Sequence, residues 1–331
     1  MILVTGGAGF IGSNLIAGLE ARGLGDIVVC DRLGTGDKWR NIARRDLADL
    51  IPPEALLPYA EAHGSRIEAI FHLGAISATT ETDADLIVAN NFRLSRALWD
   101  LCARDRIPLI YASSAATYGD GGAGFDDDGS REALSRLRPL NAYGWSKHLF
   151  DRWVARRLAE RQDRMRCPPQ WAGLKFFNVY GPNEYHKGGQ ISVVLKNFRE
   201  VRTDGVAVLF RSHRPDCRDG GQMRDFVWVG DCVDVMLWLL DNREVSGLFN
   251  LGAGKARSFA DLAAALFAAL DRPPAISFID TPEAIRDRYQ YFTEATMGRL
   301  RAAGYTAPFT VLEDGVGRYV RNYLLRDDPY L

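Results

Sequence analysis

Tyr143 and Lys147 stand four positions apart in the run PLNAYGWSK, at the head of an apolar helical pattern that continues through Leu149, Phe150, Trp153 and Val154. Four residues make about one helical turn, so the two side chains share a face. An ammonium so placed favours a phenolate and lowers the phenol from its ordinary value near ~10, letting the tyrosine exchange a proton at neutral pH. A further hydroxyl, Ser114, follows the apolar run LIYAS and can hydrogen-bond an alcohol and orient it toward Tyr143. The three groups together suit proton removal from a secondary alcohol, one half of an alcohol oxidation. A Tyr-x-x-x-Lys pair alone is better read as core packing beside a surface lysine, so the rest of the chain must supply a hydride acceptor.

The stretch that can bind one opens the chain. In MILVTGGAGFIGSN the residues Ile2 to Val4 read as a buried strand, Thr5-Gly6-Gly7 breaks it, and a helical pattern starts at Phe10. Gly6 suits a sharp turn, Gly9 lets a diphosphate approach the backbone, and Gly12 allows close packing of helix on strand. The helix N-terminus then offers free N–H groups to the phosphates. A second strand, IVVC, ends at Asp31, where a dinucleotide fold sets the acid that binds the adenosine ribose. Asp31 alone favours NAD. Arg32, Lys38, Arg40, Arg44 and Arg45 follow it, and a cation there can neutralise a 2′-phosphate, so NADP is open as well; Asp46-Leu47 is expected to flank the adenine.

These side chains need a scaffold of alternating strands and helices. Ala69 to His72 is the next expected strand, and Gly74-Ala75 sets backbone amides against the diphosphate and the nicotinamide ribose. A helical stretch from Asp85 to Asp105 carries Asn90, and Leu109 to Ser113 forms another strand. A long helix runs from near Leu140 to about Pro168-Pro169, and LKFFN, Leu174 to Asn178, returns as a core strand. The expected class is α/β: a Rossmann-like, doubly wound parallel sheet with a smaller C-terminal substrate lobe. The division falls at 1–173 for the dinucleotide-binding lobe and 174–331 for core returns plus the sugar-nucleotide-binding lobe. Asp120 to Ser130 reads as a mobile surface excursion, and Asp231 as the cap of the helix that follows it.

Composition narrows the function classes. With 331 residues, 47% hydrophobic and 25% charged, the chain can bury a full core. A net charge of −1 gives no field to gather nucleic acid or an anionic membrane. The 5 cysteines lack a CxxC pair, which argues against a disulfide framework and a zinc site and for a reduced cytoplasm; no metal is expected. A strand beginning at residue 2 leaves no room for a signal peptide, and no apolar run is long enough for a membrane span.

Over nearly its whole length the chain resembles the extended short-chain dehydrogenases/reductases, and within them the ADP-L-glycero-D-manno-heptose 6-epimerase family. The resemblance is carried by TGGAGFIGSN from Thr5, SATTETD from Ser77, YASSAATYG from Tyr111, PLNAYGWSK from Pro139, FFNVYGPNEYHKG from Phe176 and RYQYFT from Arg288. HKG, TTE and RYQ are the narrower marks. The resemblance implies an NADP-dependent epimerisation at C6 of an ADP-heptose, on the route to the lipopolysaccharide inner core, by a homo-oligomer described as a pentamer. Tyr143 would take the C6 hydroxyl proton as hydride leaves, the C5–C6 bond of the ketone would rotate, and hydride would return to the other face, with Lys187 as a second acid/base.

By the same resemblance Phe10, Ile11, Asp31, Arg32, Lys38, Leu73, Gly74, Ala75, Ile76, Ser77, Asn90, Lys147 and Val179 would line the cofactor. Asn178, Phe210, Arg211, Ser212, His213, Arg224 and Tyr289 would line the ADP-sugar beside Ser114, and Arg224 has a physical case as a bidentate diphosphate ligand. There are departures. Pro53 stands where the family commonly has lysine, and Gly189 and Lys196 stand at the substrate positions often held by serine and histidine. Arg211-Ser212 replaces the Glu and Gly of the familiar FEGS, ahead of a longer loop from His213 to Met223. They bear on substrate and cofactor preference and leave the hydride chemistry intact. Another sugar-nucleotide enzyme, such as a 4-epimerase, is the nearest rival. A 4,6-dehydratase would need an Asp-Glu pair where this chain has Ala115-Ala116, and a non-catalytic dinucleotide sensor would lack the tyrosine and lysine.

Overall fold

Short apolar runs that cannot face water on either side become strands of a parallel sheet covered on both faces. The computed structural model describes residues 1–160, 166–286 and 289–331. Its strands are β1 (Ile2–Thr5), β2 (Ile27–Cys30), β3 (Asp49–Ile51), β4 (Ala69–His72), β5 (Leu109–Ser114), β6 (Trp171–Phe176), β7 (Asn178–Tyr180), β8 (Ala207–Phe210), β9 (Met223–Trp228), β10 (Gly247–Leu251), β11 (Ala256–Ser258) and β12 (Ile276–Ile279). Seven of them form one sheet in the order β10-β6-β5-β4-β1-β2-β3, every neighbour parallel. The order reverses between β1 and β4, which opens a crevice at their carboxyl ends, the place where open α/β sheets bind ligands.

Alternate strand residues feed opposite faces. Leu3, Val28, Ile70 and Leu109 pack beneath α2 (Leu56–His63), α4 (Leu94–Arg104) and α6 (Ala142–Ala159), meeting Leu56, Trp99 and Phe150. Ile2, Val4, Val29 and Phe71 face α1 (Phe10–Ala21) and α8 (Val229–Asp241), whose Leu15, Ile16, Leu19, Val233 and Met236 close that side. Each such fully buried aliphatic side chain contributes ~1.5–3 kcal/mol. A smaller core joins α7 (Val193–Asp204), α9 (Phe259–Ala269) and the helix Leu312–Tyr319 to a three-stranded β11-β9-β7 sheet and the parallel pair β12-β8. The fold is therefore the doubly wound parallel sheet expected, with a second packed core beside it.

Five local expectations are corrected. The stretch from Asp85 to Asp105 is not one α-helix: α3 (Ala84–Ile87) passes into a π-helical turn, Val88–Arg93, before α4. The wider turn brings in Asn91, whose side chain accepts from the Ile76 N–H at 2.8 Å and donates to the Ile76 carbonyl and the Ser146 hydroxyl, lashing the loop after β4 to α6. LKFFN is divided, because the chain leaves the main sheet at Phe177 and β7 pairs with β9 instead. The 120–130 segment, which also leads into α5 (Arg131–Arg136), is fastened from within: Asp127 is fully buried and accepts the Asn250 N–H at 2.7 Å, and Phe125 packs edge-on against Tyr118. Asp231 caps nothing; it lies inside α8, whose cap residue is Trp228, and holds the backbone N–H and hydroxyl of Thr310. Asn141 caps α6 through the Gly144 N–H, and α6 ends at Ala159, short of Pro168-Pro169; positions 161–165 of the expected helix lie outside the described residues.

Candidate active site

Gly6 has φ +68°, and a Cβ on it would lie 2.7 Å from Gly74 Cα, so both the left-handed turn and the close approach of the β1 and β4 loops require glycine. Gly12 is also forced, for a reason other than packing on the strand: its Cβ would lie 2.2 Å from the Gly6 carbonyl oxygen, so the helix packs on the turn itself. Gly9 caps α1 with no side-chain bond, leaving the first-turn N–H groups free for an anion.

At the tip of β2, Asp31 accepts the Ala8 N–H at 2.9 Å, the Arg32 N–H at 2.7 Å and the Lys38 ammonium at 2.5 Å. Arg32 pairs with Glu54. Asp31, Arg32 and Lys38 border a side pocket of about 230 Å³, whose apolar lining includes Pro53, Leu56, Ile76 and Leu94, with Asn90 beside them. Asp46-Leu47 does not flank it: the Asp46 N–H is bound to Glu20, and Leu47 packs against the core under α1. The side pocket adjoins a main cavity of about 550 Å³ that runs from Gly6, Gly9 and Phe10 past Leu73, Gly74, Ala75 and Ser77 to Ser114, Tyr143 and Lys147, and is closed by Val179, Lys187 and Gly189.

Burial governs the titrating groups. It pushes the Tyr143 phenol above its ordinary value, while a hydrogen bond with Ser114 pulls it down; Lys147 is not among the groups that shift it. The expected lowering of the phenol by the ammonium is not seen: desolvation raises it, and only the Ser114 hydrogen bond opposes that. Lys147, only 4% exposed, is itself pushed down to about 8 by burial, with Asp151 acting against that change. On Lys187 burial also pushes downward, opposed by the Glu184 carboxylate, and its ammonium lies 5.3 Å from the Phe10 ring centroid.

A second cluster does not line this cavity. Arg224 is 8% exposed, donates to the Met223 carbonyl, and has the rings of Tyr289 and Phe259 at 5.3 and 5.6 Å. It has no carboxylate partner among the described residues, and burial lowers its pKa. Phe210 packs edge-on against Tyr289 at 5.9 Å. Arg211, Ser212 and His213 continue from it as a loop, with Arg211 facing Asp280 at 3.5 Å, the Ser212 N–H bound to Asp219, and the His213 ring accepting the Thr281 N–H. Asn178 is exposed on β7. Lys196 does not join either group: its ammonium is bound to Glu200 at 2.8 Å and to the Val208 carbonyl. Arg288 of the RYQYFT motif lies outside the described residues.

Sequence reasoning missed Thr79, Ser113, Phe177, His186 and Gln190 in the main cavity and Phe259 beside Arg224. His186 had a signal in its place next to Lys187; it is held by Asn41 and pushed down to about 4 by burial and the nearby lysines, so it stays neutral. Thr79 had a signal as well, in the TTE mark, and Ser113 in standing next to Ser114; Phe177, Gln190 and Phe259 carry no role that their own positions announce. Among the described residues no His, Cys, Asp and Glu cluster could hold a metal, Cys30, Cys102, Cys217 and Cys232 are free thiols, and no helix is long and apolar enough to cross a membrane.

A glycine turn under a helix N-terminus, an acid at the end of the second strand and a Tyr/Ser/Lys set on one cavity fit a dinucleotide and an alcohol. The chain belongs to the NAD dependent epimerase/dehydratase family, whose model matches residues 2–252. It is similar to proteins named ADP-L-glycero-D-manno-heptose-6-epimerase from Nitratidesulfovibrio vulgaris, at 52% identity, and Fusobacterium nucleatum, at 47%, each match covering 100% of both chains. Among solved structures it resembles the Helicobacter pylori ADP-L-glycero-D-manno-heptose-6-epimerase, at 27% identity and a TM-score of 0.80 over 97% of this chain and 95% of that one. It also resembles the Thermus thermophilus UDP-glucose 4-epimerase complex with NAD, at 25% identity and a TM-score of 0.73 over 96% of this chain and 97% of that one.

Proposed function

We propose that the protein interconverts ADP-D-glycero- and ADP-L-glycero-D-manno-heptose by transient oxidation at C6 and re-reduction on the opposite face, for the lipopolysaccharide core. The observation that carries this reading is that Tyr143, Ser114 and Lys187 border one cavity with the glycine turn. A bound nicotinamide dinucleotide would supply a reversible hydride acceptor there. Ser114 hydrogen-bonds the C6 hydroxyl and aligns it with Tyr143, which takes that proton as the C6–H bond breaks and the C6 carbonyl forms. Lys147, one turn along α6, holds the nicotinamide ribose. Inversion requires rotation about C5–C6, after which the C6 oxygen points elsewhere and a second proton donor is useful. Lys187 suits that role, because burial brings its ammonium toward the range in which it can give and take a proton. Arg224, lacking a carboxylate, is the group suited to the substrate diphosphate.

For the cofactor we favour NADP over NAD. Lys38 and Arg32 flank Asp31, and their ion pairs with Asp31 and Glu54 are partly or fully solvated, so a 2′-phosphate can compete for both cations. The cytoplasm is the fitting compartment for the free thiols of Cys30, Cys102, Cys217 and Cys232. The reading is tested by incubating the purified protein with ADP-D-glycero-D-manno-heptose and following the C6 epimer by NMR, with UDP-glucose as the control substrate. Equilibration of the heptose without C4 epimerisation of UDP-glucose is expected; turnover of UDP-glucose alone would assign the protein to a 4-epimerase.

A further inference from the structure

Behind the face that carries Tyr143 and Lys147 lies a fully buried ion pair that the mechanism above does not use. Lys175, on β6, donates to Asp151 on α6 at 2.9 Å, and the side chains are 1% and 0% exposed. Lys175 also donates to the Thr117 hydroxyl at 2.6 Å, and Thr117 in turn donates to the Ser114 carbonyl at 2.8 Å. The same Asp151 oxygen accepts the Ser113 hydroxyl at 2.8 Å, and the other carboxylate oxygen is buried without a partner. The end of β5 that presents Ser114 is thus held by one buried pair, through the Ser113 hydroxyl on one side and the Ser114 carbonyl on the other. Asp151 is also one helical turn beyond Lys147, so one carboxylate serves two buried ammonium groups.

We propose that Asp151 and Lys175 are positioning residues: together they fix the Ser113-Ser114 strand end against α6, and Asp151 divides its charge between Lys175 and the Lys147 ammonium one turn back. The inference rests on the reading of Tyr143, Ser114 and Lys147 given above. Folding alone does not require such a pair, since two apolar side chains of similar volume often serve as well or better, whereas loss of one partner strands a charge. The other groups facing the pair are neutral near pH 7. His148, beside Asp151 on α6, is pushed down to about 4, and His72, facing Lys147 from β4, to about 3. Tyr111 on β5 and Tyr118 after it are raised well above their ordinary value. Arg152 and Arg138 act on the cluster only near its outer edge, through His148. Lys147 is therefore balanced chiefly by a carboxylate that Lys175 shares.

The test compares Asp151→Asn, Asp151→Glu and the double variant Asp151→Asn/Lys175→Met with the wild type. Turnover of ADP-D-glycero-D-manno-heptose and the dissociation constant of NADPH are measured from about pH 6 to about pH 10, with thermal midpoints recorded alongside. The working form of Lys147 is protonated, so both readouts fail as pH climbs through its pKa. Asp151→Asn should move that limb about one unit lower, and the double variant, which removes both charges, should bring it back close to the wild-type position. Asp151→Glu keeps the charge and should leave the limb in place. A limb that stays put in Asp151→Asn while only amplitude or thermal midpoint falls, or a double variant displaced as far as the single one, overturns the proposal. If the wild type leaves the heptose unchanged while the NADPH limb moves as described, the substrate reading fails and this one stands.

Discussion

Replacing Arg224 by methionine separates a binding role from a structural one, because the two push stability and affinity in opposite directions. The guanidinium is 8% exposed, with one backbone carbonyl and two aromatic rings for company. Ring contacts of this kind contribute about 0.5–2 kcal/mol each, against a desolvation cost of several kcal/mol for a buried cation. Methionine keeps the length and apolar contact without the charge, so the free protein should hold its thermal midpoint or gain roughly 2 °C, the equivalent of ~1 kcal/mol in a chain of this size. In the complex the sign reverses. A charge-assisted hydrogen bond to the substrate diphosphate is worth about 1.5–3 kcal/mol, which becomes roughly a 10- to 100-fold rise in KM for the ADP-heptose, with kcat much less affected. Steady-state kinetics and differential scanning fluorimetry on one preparation give both numbers. A KM within about twofold of wild type combined with a midpoint lowered by several degrees would refute the reasoning.

Tyr143→Phe should abolish turnover while leaving the NADPH dissociation constant nearly unchanged, and a fully active variant would remove the phenol from the mechanism. Lys187→Met should slow conversion of one epimer more than the other; equal loss from both directions, normalised to the equilibrium ratio, counts against a second proton donor at that position. NADPH should bind more tightly than NADH, and Lys38→Ala should narrow the gap several-fold, as expected for loss of one partly solvated charge contact to a 2′-phosphate; a wild type that prefers NADH contradicts the phosphate reading.

The strands of the main sheet were legible because residues buried on both faces leave a signal that needs no partner: Ile2 to Val4, Ile27 to Cys30 and Ala69 to His72 are read almost to the residue. Legibility failed where a long-range contact decides. Leu174 to Asn178 is apolar throughout, and nothing local says that Phe177 leaves one sheet for another. The glycines and aspartates of 120–130 look solvated, yet Asp127 is buried by Asn250, which lies far along the chain. A π-turn adds a residue without changing composition, so Asn91 could be read only as a helical position. The site divides in the same way. Its dinucleotide half comes from one turn, one strand end and one helix, each with a local mark, whereas the Arg224 cluster is assembled from β9, α9 and the 289–291 segment, and the sequence offered Phe259 no mark at all.

The least legible quantity was the electrostatic one. Spacing alone says that an ammonium one turn away lowers a phenol, but burial acts on both groups and moves them apart, each toward its neutral form: Tyr143 rises, and Lys147 falls to about 8. The pair therefore begins near neutrality as a protonated phenol and a charged ammonium, the state suited to the reduction half of an epimerisation, in which Tyr143 delivers its proton to the new alkoxide. Oxidation needs Tyr143 as the phenolate to take a proton, and the group that favours that ionised form by its own hydrogen bond is Ser114. The Ser114 backbone is tied through Thr117 to Lys175, and its neighbour Ser113 is tied to Asp151, so the direction that is harder for the tyrosine alone leans on the buried pair. A loosened β5 end should consequently slow oxidation more than reduction.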